Sequence, residues 1–345
     1  MLFRSMRDYQ KVRERHAAKT AAPMLTLDQA RANAPGIDFQ RTPPPAPKAL
    51  GRRVLKSYDL QELVDTIDWT PFFQTWDLAG PFPAILDDAI VGAQARQVYA
   101  DGKAMLAKCV AARKLTANGV FGLFRAQRTA PEDITLLDTN GTTPLLTWVG
   151  LRQQTQKPSG EFNKSLADYV APKDSGIPDY LGCFAVCIDG AEKLAQDYEA
   201  KGDDYNAILV KAIADRLAES FAERLHQRVR TEFWGYAAGE SLSNDALIKE
   251  QYQGIRPAPG YPSCPDHTVK TDLFHVLQAD EIGMQLTENL AMMPASAVSG
   301  FYFWHPESQY FNLGVIGEDQ LKDYAARTQV NENTARSRLS SVLGF

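Results

Sequence analysis

The 345-residue chain contains no G-x-G triplet. That removes the glycine turn of the dinucleotide fingerprint and of the common methyltransferase loop, and no Walker A sequence is present either. There is no CxxC pair among the four cysteines, Cys109, Cys183, Cys187 and Cys264. Cys183 and Cys187 fall in LGCFAVCIDG, a predicted strand whose even spacing puts both on one face. They are expected as small core residues in a reducing compartment, without a disulfide. The compact run Cys264-Pro265-Asp266-His267 offers too few ligands for a zinc site, so no metal is expected. No Ser-His-Asp arrangement is evident, and no catalytic residue is assigned. No apolar run approaches the roughly 18 residues of a membrane span. The opening MLFRSMRDYQKVRERH lacks the apolar stretch of a signal peptide. A cytoplasmic protein that does not engage a membrane is expected.

Hydrophobic residues make up 44% of the chain and charged residues 23%, the balance of a folded protein of one large domain or two ordinary ones. The net charge is −5, but residues 1–50 carry 9 Lys+Arg against 4 Asp+Glu, so the remainder is strongly acidic. An acidic body argues against a nucleic-acid partner. Residues 1–22 are charged and alanine-rich enough for a helix. Pro43, Pro44, Pro45 and Pro47 then stiffen an extended stretch, because proline fixes φ and removes a donor. Residues 1–50 therefore read as an arm or interdomain linker and 51–345 as the folded body. A chain that opens inside a linker reads as an excised or split part of something larger.

Along the body, Asp59 is placed to cap a helix running to Ile67. TPFFQTWDL, residues 70–78, reads as a strand. Val91, Val98, Met105 and Cys109 mark a long helix over 87–113. GVFGLFRAQR, DITLLDT, TPLLTWVGL and DYLGCFAVCI read as strands. Residues 203–234 keep the 3.6 period from Ile208 to Val229. Shorter helices are expected near 243–251, 271–279, 317–328 and 331–342. Residues 296–316 read as two strands around a turn at His305–Ser308. The irregular interleaving, without a repeated βα unit, predicts an α+β fold: one large domain with a twisted, largely antiparallel sheet flanked by helices, preceded by the proline-rich arm.

Three segments carry the chemistry. GIRPAPGYPSCPDHT, residues 254–268, has four prolines and two glycines, so it loses little entropy on holding one shape. Arg256 stands at its entrance, where a guanidinium can grip a carboxylate with two hydrogen bonds, and Tyr261 offers an aromatic wall. IDWTPFFQTW, residues 67–76, sets Asp68 among Trp69, Phe72, Phe73 and Trp76, and a carboxylate so placed needs a positive or hydrogen-bonding partner unless it caps a helix. SGFYFWHPESQYF, residues 299–311, has aromatics suited either to a core or to stacking on a planar ring.

Together these segments resemble the activation domain of cobalamin-dependent methionine synthases. VRERH in the arm, FGLFRAQR, LRQQTQK, LADYVAPKDSG, DDYNAILVKAIADRLAESFAERLHQRVR, WGYA and EQYQGIRPAPGYPSCPDHT are similar to that family in the same order. The resemblance spans about residues 5–343. It implies a module that binds S-adenosylmethionine and supplies its methyl group for reductive methylation of inactive cob(II)alamin, regenerating methylcobalamin in methionine biosynthesis. It implies methyltransferase chemistry, but no methionine synthesis by this module alone. Its implied partners are the cobalamin-binding module and flavodoxin or a flavin-containing reductase. Its ligand contacts correspond to Asp68, Arg256, Tyr310 and Phe311 here. The chain has no D-x-H-x-x-G, so cobalamin is expected to be held by the partner. Asp215 and Glu219, one turn apart on the 203–234 helix, face either a ligand, a partner or solvent. A stand-alone methyltransferase and a non-catalytic S-adenosylmethionine-binding or redox-docking module are the alternatives.

Overall fold

The computed structural model describes residues 23–345. The helix expected over 1–22, with its VRERH motif, lies outside them. Residues 23–50 run along the body. The Gln156 amide donates to the Pro23 carbonyl at 2.8 Å, and helix α1, Leu27–Ala32, follows. Thr26 and Gln29 form a capping box at its start. Arg31 then reaches Glu132 at 2.7 Å and Asp323 at 3.1 Å. Farther on, the Trp234 indole N–H donates to the Pro45 carbonyl at 2.8 Å, so the proline stretch is bonded to the body.

The strands are β1 Gly51–Tyr58, β2 Thr116–Ala130, β3 Asp133–Leu137, β4 Pro144–Val149, β5 Asp179–Asp189, β6 Gln285–Leu286, β7 Met292–Met293 and β8 Ala297–Tyr302. The main sheet has the order β4-β3-β2-β5-β8, and β6 and β7 form a separate pair. Every ladder is antiparallel. β2 is long enough to take two neighbours end to end on one edge, β1 against residues 117–123 and β3 against residues 125–130. The four strands expected between residues 119 and 188 are β2–β5. β1 had no matching expectation.

Alternation along the strands divides two cores. Phe121, Leu123, Phe184, Val186, Ile188 and Tyr302 face helices α2 Leu60–Val64, α3 Thr70–Gln74, α4 Gly92–Ala111, α5 Ala191–Glu199 and α6 Asp204–Arg228. Val120, Phe124, Leu181, Cys183, Cys187 and Phe301 face the opposite side, with α7, Asn244–Ile248, outside this layer and α8, Val269–Leu277, packed within it. Cys183 and Cys187 thus share a face, as their spacing predicts, and each is a free thiol. Burying each large side chain contributes roughly 1.5–3 kcal/mol. A third cluster joins α9, Glu318–Thr328, and α10, Glu332–Arg338, through Leu321, Tyr324, Ala335 and Leu339. The result is a largely antiparallel sheet with helices on its flanks, as expected. Among the described residues no helix is long and apolar enough to cross a membrane.

Three local expectations differ from the structure. Residues 70–78 open as α3 rather than as a strand. Asp68 Oδ1 accepts from the Thr70 amide at 2.9 Å, Pro71 occupies the first turn, and Phe72 and Phe73 are fully buried side by side. The helix capped by Asp59 ends at Val64. Residues 309–315 form no second strand beside β8. The free edge of β8 is already taken, since Ile255 and Phe303 exchange backbone hydrogen bonds and the Phe301 amide donates to the Pro257 carbonyl.

Candidate functional site

The edge contact that excludes a second strand also places the arginine. Residues 255–257 run extended against the end of β8, so neighbouring side chains point to opposite faces. Ile255 enters the core behind α8, while Arg256 turns toward α6. Close approach needs two glycines. A Cβ on Gly254, whose φ is +89°, would lie 2.4 Å from the Phe303 carbonyl oxygen. One on Gly300 would lie 2.5 Å from the Pro257 carbonyl oxygen. Beyond Pro257 the loop closes on itself, with the Gly260 amide donating to Cys264 O at 2.7 Å, and the Leu313 amide donates to Pro262 O at 3.0 Å. The rigid loop and residues 310–313 therefore form two walls of one cleft.

That cleft, about 470 Å³, is lined by Arg256, Tyr261, Tyr310, Phe311, Glu219 and Glu250, with Phe184 and Val298 of the sheet among its other walls. A second cleft of about 380 Å³ adjoins it and shares Glu219, Glu250, Arg256 and Tyr261. Asp68 lines this second part. The structure thus brings Arg256, Tyr310 and Phe311 to one compartment and Asp68 to its neighbour, with Arg256 common to both.

The Arg256 guanidinium is held by one nitrogen. Nη1 lies 2.8 Å from Glu223 Oε2, donates to the Tyr252 hydroxyl at 2.6 Å and sits 3.5 Å from His226 Nδ1. Its Nε–Nη2 edge has no protein partner among the described residues. Burial opposes the charge, but Glu223, joined by Tyr252, Tyr310 and Glu219, outweighs it and holds the guanidinium protonated above its ordinary value. Burial pushes the Glu223 carboxyl up, against the pull of Arg256 and then Arg230. His226, buried beside the same two arginines, is driven well below the usual imidazole range and stays neutral.

Residues 59–329 match the model of the vitamin B12-dependent methionine synthase activation domain. The chain belongs to that family. It is also similar to the crystal structure of the MetH reactivation domain bound to AdoHcy. The two are 47% identical, superpose with a TM-score of 0.90, and the match covers 94% of this chain and 99% of that one. As a methionine synthase activation domain the chain has the cobalamin-binding module of that enzyme as its implied partner, and cobalamin belongs to that other module.

Within this activation domain, most aromatics of the segments singled out in the sequence are structural. Trp69, Phe72, Phe73 and Trp76 pack on one another, and Phe301 stacks on Trp148 at 4.6 Å. Only Tyr310 and Phe311 of residues 299–311 reach the cleft. Of the acidic pair on α6, Asp215 accepts from the Ser296 hydroxyl at 2.6 Å, whereas Glu219 lines both compartments. Cys264 is buried, and Asp266 is bonded to Thr268 and Tyr324. Among the described residues no three His, Cys, Asp or Glu side chains cluster to hold a metal. Sequence reasoning missed Glu223, Tyr252 and Glu250. Glu223 had a signal, being one turn beyond Glu219 on the same helix face. Tyr252 and Glu250 precede the glycine–proline loop without any distinguishing pattern.

Proposed function

We propose that the groove binds S-adenosylmethionine and presents its methyl group to the cobalamin of a partner module during reductive reactivation. The observation that carries this reading is the unpartnered Nε–Nη2 edge of Arg256 between two joined compartments, in a chain 47% identical to a reactivation domain with AdoHcy bound. The residues suit the ligand. That edge matches a carboxylate in the two-pronged geometry at which arginine excels. Asp68, Glu219 and Glu250 give the remaining rim the negative sign that an ammonium and a sulfonium need. Tyr310 and Phe311 supply aromatic and backbone surface for the flat base. The larger compartment falls in the range of about 300–1,000 Å³ common for small-ligand sites.

The chain's own part in this methyltransferase reaction is to bind and orient the donor and to shield it from water. Its acidic rim favours the cationic donor over the neutral thioether left after transfer. Cobalamin, when present on the partner, supplies the cobalt that accepts the methyl group, and flavodoxin or a flavin-containing reductase supplies one electron. In this reading residues 51–345 are the binding domain and 1–50 the arm leading to it. The buried free thiols support a reducing, cytoplasmic setting.

The test combines the chain with S-adenosylmethionine, a reductant and cob(II)alamin, with and without a cobalamin-binding module. Methylcobalamin is expected only when the module is present. Formation without it would favour a stand-alone methyltransferase. Tight ligand binding with no methylcobalamin in either mixture would favour a binding module without transfer.

A further inference from the structure

Behind Arg256 lies a group of charges of which Glu223 also lines the smaller compartment. Glu223 and Arg230 stand two turns apart on the α6 face and the turn that continues it, with Glu223 Oε1 and Arg230 Nη1 3.8 Å apart. Arg230 is itself held by Glu240 in a two-pronged pair, Nε and Nη2 donating at 2.8 and 2.7 Å, and its guanidinium lies 4.0 Å above the Tyr252 ring. Arg230 is thereby neutralised from the other side, which leaves Glu223 Oε2 for Arg256 at 2.8 Å. Among the described residues Glu223 Oε1 has no hydrogen-bond partner and is buried. A buried carboxylate oxygen without a hydrogen bond is costly, and the 3.8 Å ionic contact to Arg230 offsets that cost in part.

We infer that Glu223 is the positioning residue for the ligand-gripping arginine: by fixing Nη1 it turns the Nε–Nη2 edge of Arg256 into the cleft. This rests on the reading of the groove as a site for S-adenosylmethionine. Two alternative carboxylates make the anchor necessary. Glu219 and Glu250 line the same groove as Arg256, and an unanchored guanidinium swings toward either of them. Glu223, by contrast, projects from a 25-residue helix packed on the sheet. It holds the fork in place before a ligand arrives, which reduces the ordering cost of binding.

The prediction is selective by ligand. S-adenosylhomocysteine has the amino-acid carboxylate. 5′-Methylthioadenosine keeps the nucleoside and thioether without it, and so has no use for Arg256. Calorimetry on the whole chain should show Glu223→Asp, whose carboxylate falls one methylene short, weakening S-adenosylhomocysteine about tenfold, the scale of one charge-assisted hydrogen bond. Glu223→Gln keeps the reach and an acceptor oxygen, and should lose only about threefold, given the weaker neutral acceptor. Methylthioadenosine affinity should stay within error for both. In an Arg256→Ala background, Glu223→Asp should bring no further loss. Equal weakening of the two ligands, a loss in Gln as large as in Asp, or additive losses with Arg256→Ala would each overturn the positioning role. Failure of the unaltered chain to bind either ligand would instead overturn the reading of the groove.

Discussion

The Tyr310 hydroxyl accepts a hydrogen bond from the backbone amide of Arg256 at 2.9 Å. The two residues are 54 positions apart, and the bond ties the two cleft walls together at the arginine itself. Tyr310 therefore acts on the site through its oxygen as well as its ring. Tyr310→Phe keeps the ring and leaves a partly buried amide unpaired. The expected stability loss is about 1 kcal/mol in urea denaturation, with a few-fold loss of S-adenosylhomocysteine affinity. If stability and affinity both stay unchanged, the bond does not hold the walls.

Arg256 itself separates charge from geometry. Lysine keeps the positive charge but offers a single point donor in place of a fork. Arg256→Lys and Arg256→Ala should both weaken S-adenosylmethionine about tenfold or more, since a lost charged hydrogen bond costs roughly 1.5–3 kcal/mol. The alanine variant also leaves Glu223 with only the longer 3.8 Å contact to Arg230. Calorimetry that finds wild-type affinity in the alanine variant would remove Arg256 from the site.

How far the sequence disclosed this molecule depends on the range of the interaction. The long α6 periodicity and the apolar runs of β2 and β5 are local patterns, and they appear where expected. α3 was misread because four aromatics in ten residues imitate a strand, while the determining features were the Asp68 turn and Pro71. The missing strand at 309–315 turned on a distant fact, the occupation of the β8 edge by Ile255–Pro257. The same holds at the site. Arg256 stood out through its rigid loop, but the residues that orient it come from α6 and from Tyr252, and only tertiary packing joins them. The family resemblance supplied the ligand, which no composition or spacing named.

Gly300 tests the link between the sheet and the loop. Its missing Cβ lets the Pro257 carbonyl approach β8, and a methyl there would sit 2.5 Å from that oxygen and 3.1 Å from the Phe184 ring. Backbone cannot yield as a flexible side chain does. Gly300→Ala should destabilise by about 1–3 kcal/mol, the usual scale of overpacking, and displace Arg256 along with Pro257. Urea denaturation and ligand titration should fall together. A variant of normal stability and affinity would show that the loop tolerates a wider gap from the sheet.

Acidity should act on this fold through two opposing groups. His226 is fully buried against Tyr302 and Tyr252 and faces Arg230 and Arg256, so its folded affinity for protons is far below its unfolded one. As pH falls below about 6.5, the unfolded chain takes up the proton first, and stability declines by about 1.4 kcal/mol per pH unit. Asp179 works the other way. Burial pushes its carboxyl up to about 7, against three N–H donors from Ala171, Tyr180 and Trp304. Its folded form binds the proton first as pH falls, so it adds stability between about pH 7 and pH 4, with a slope of the same size and opposite sign. The two contributions offset each other as pH falls below about 6.5. Replacing either group with a non-titrating residue exposes the other. Relative to the unaltered chain, Asp179→Asn should lose stability more steeply as pH falls through that window, and His226→Gln less steeply or with a reversed slope. Urea midpoints at half-unit pH steps decide the matter, and slope changes of the same sign in both variants would refute the opposition.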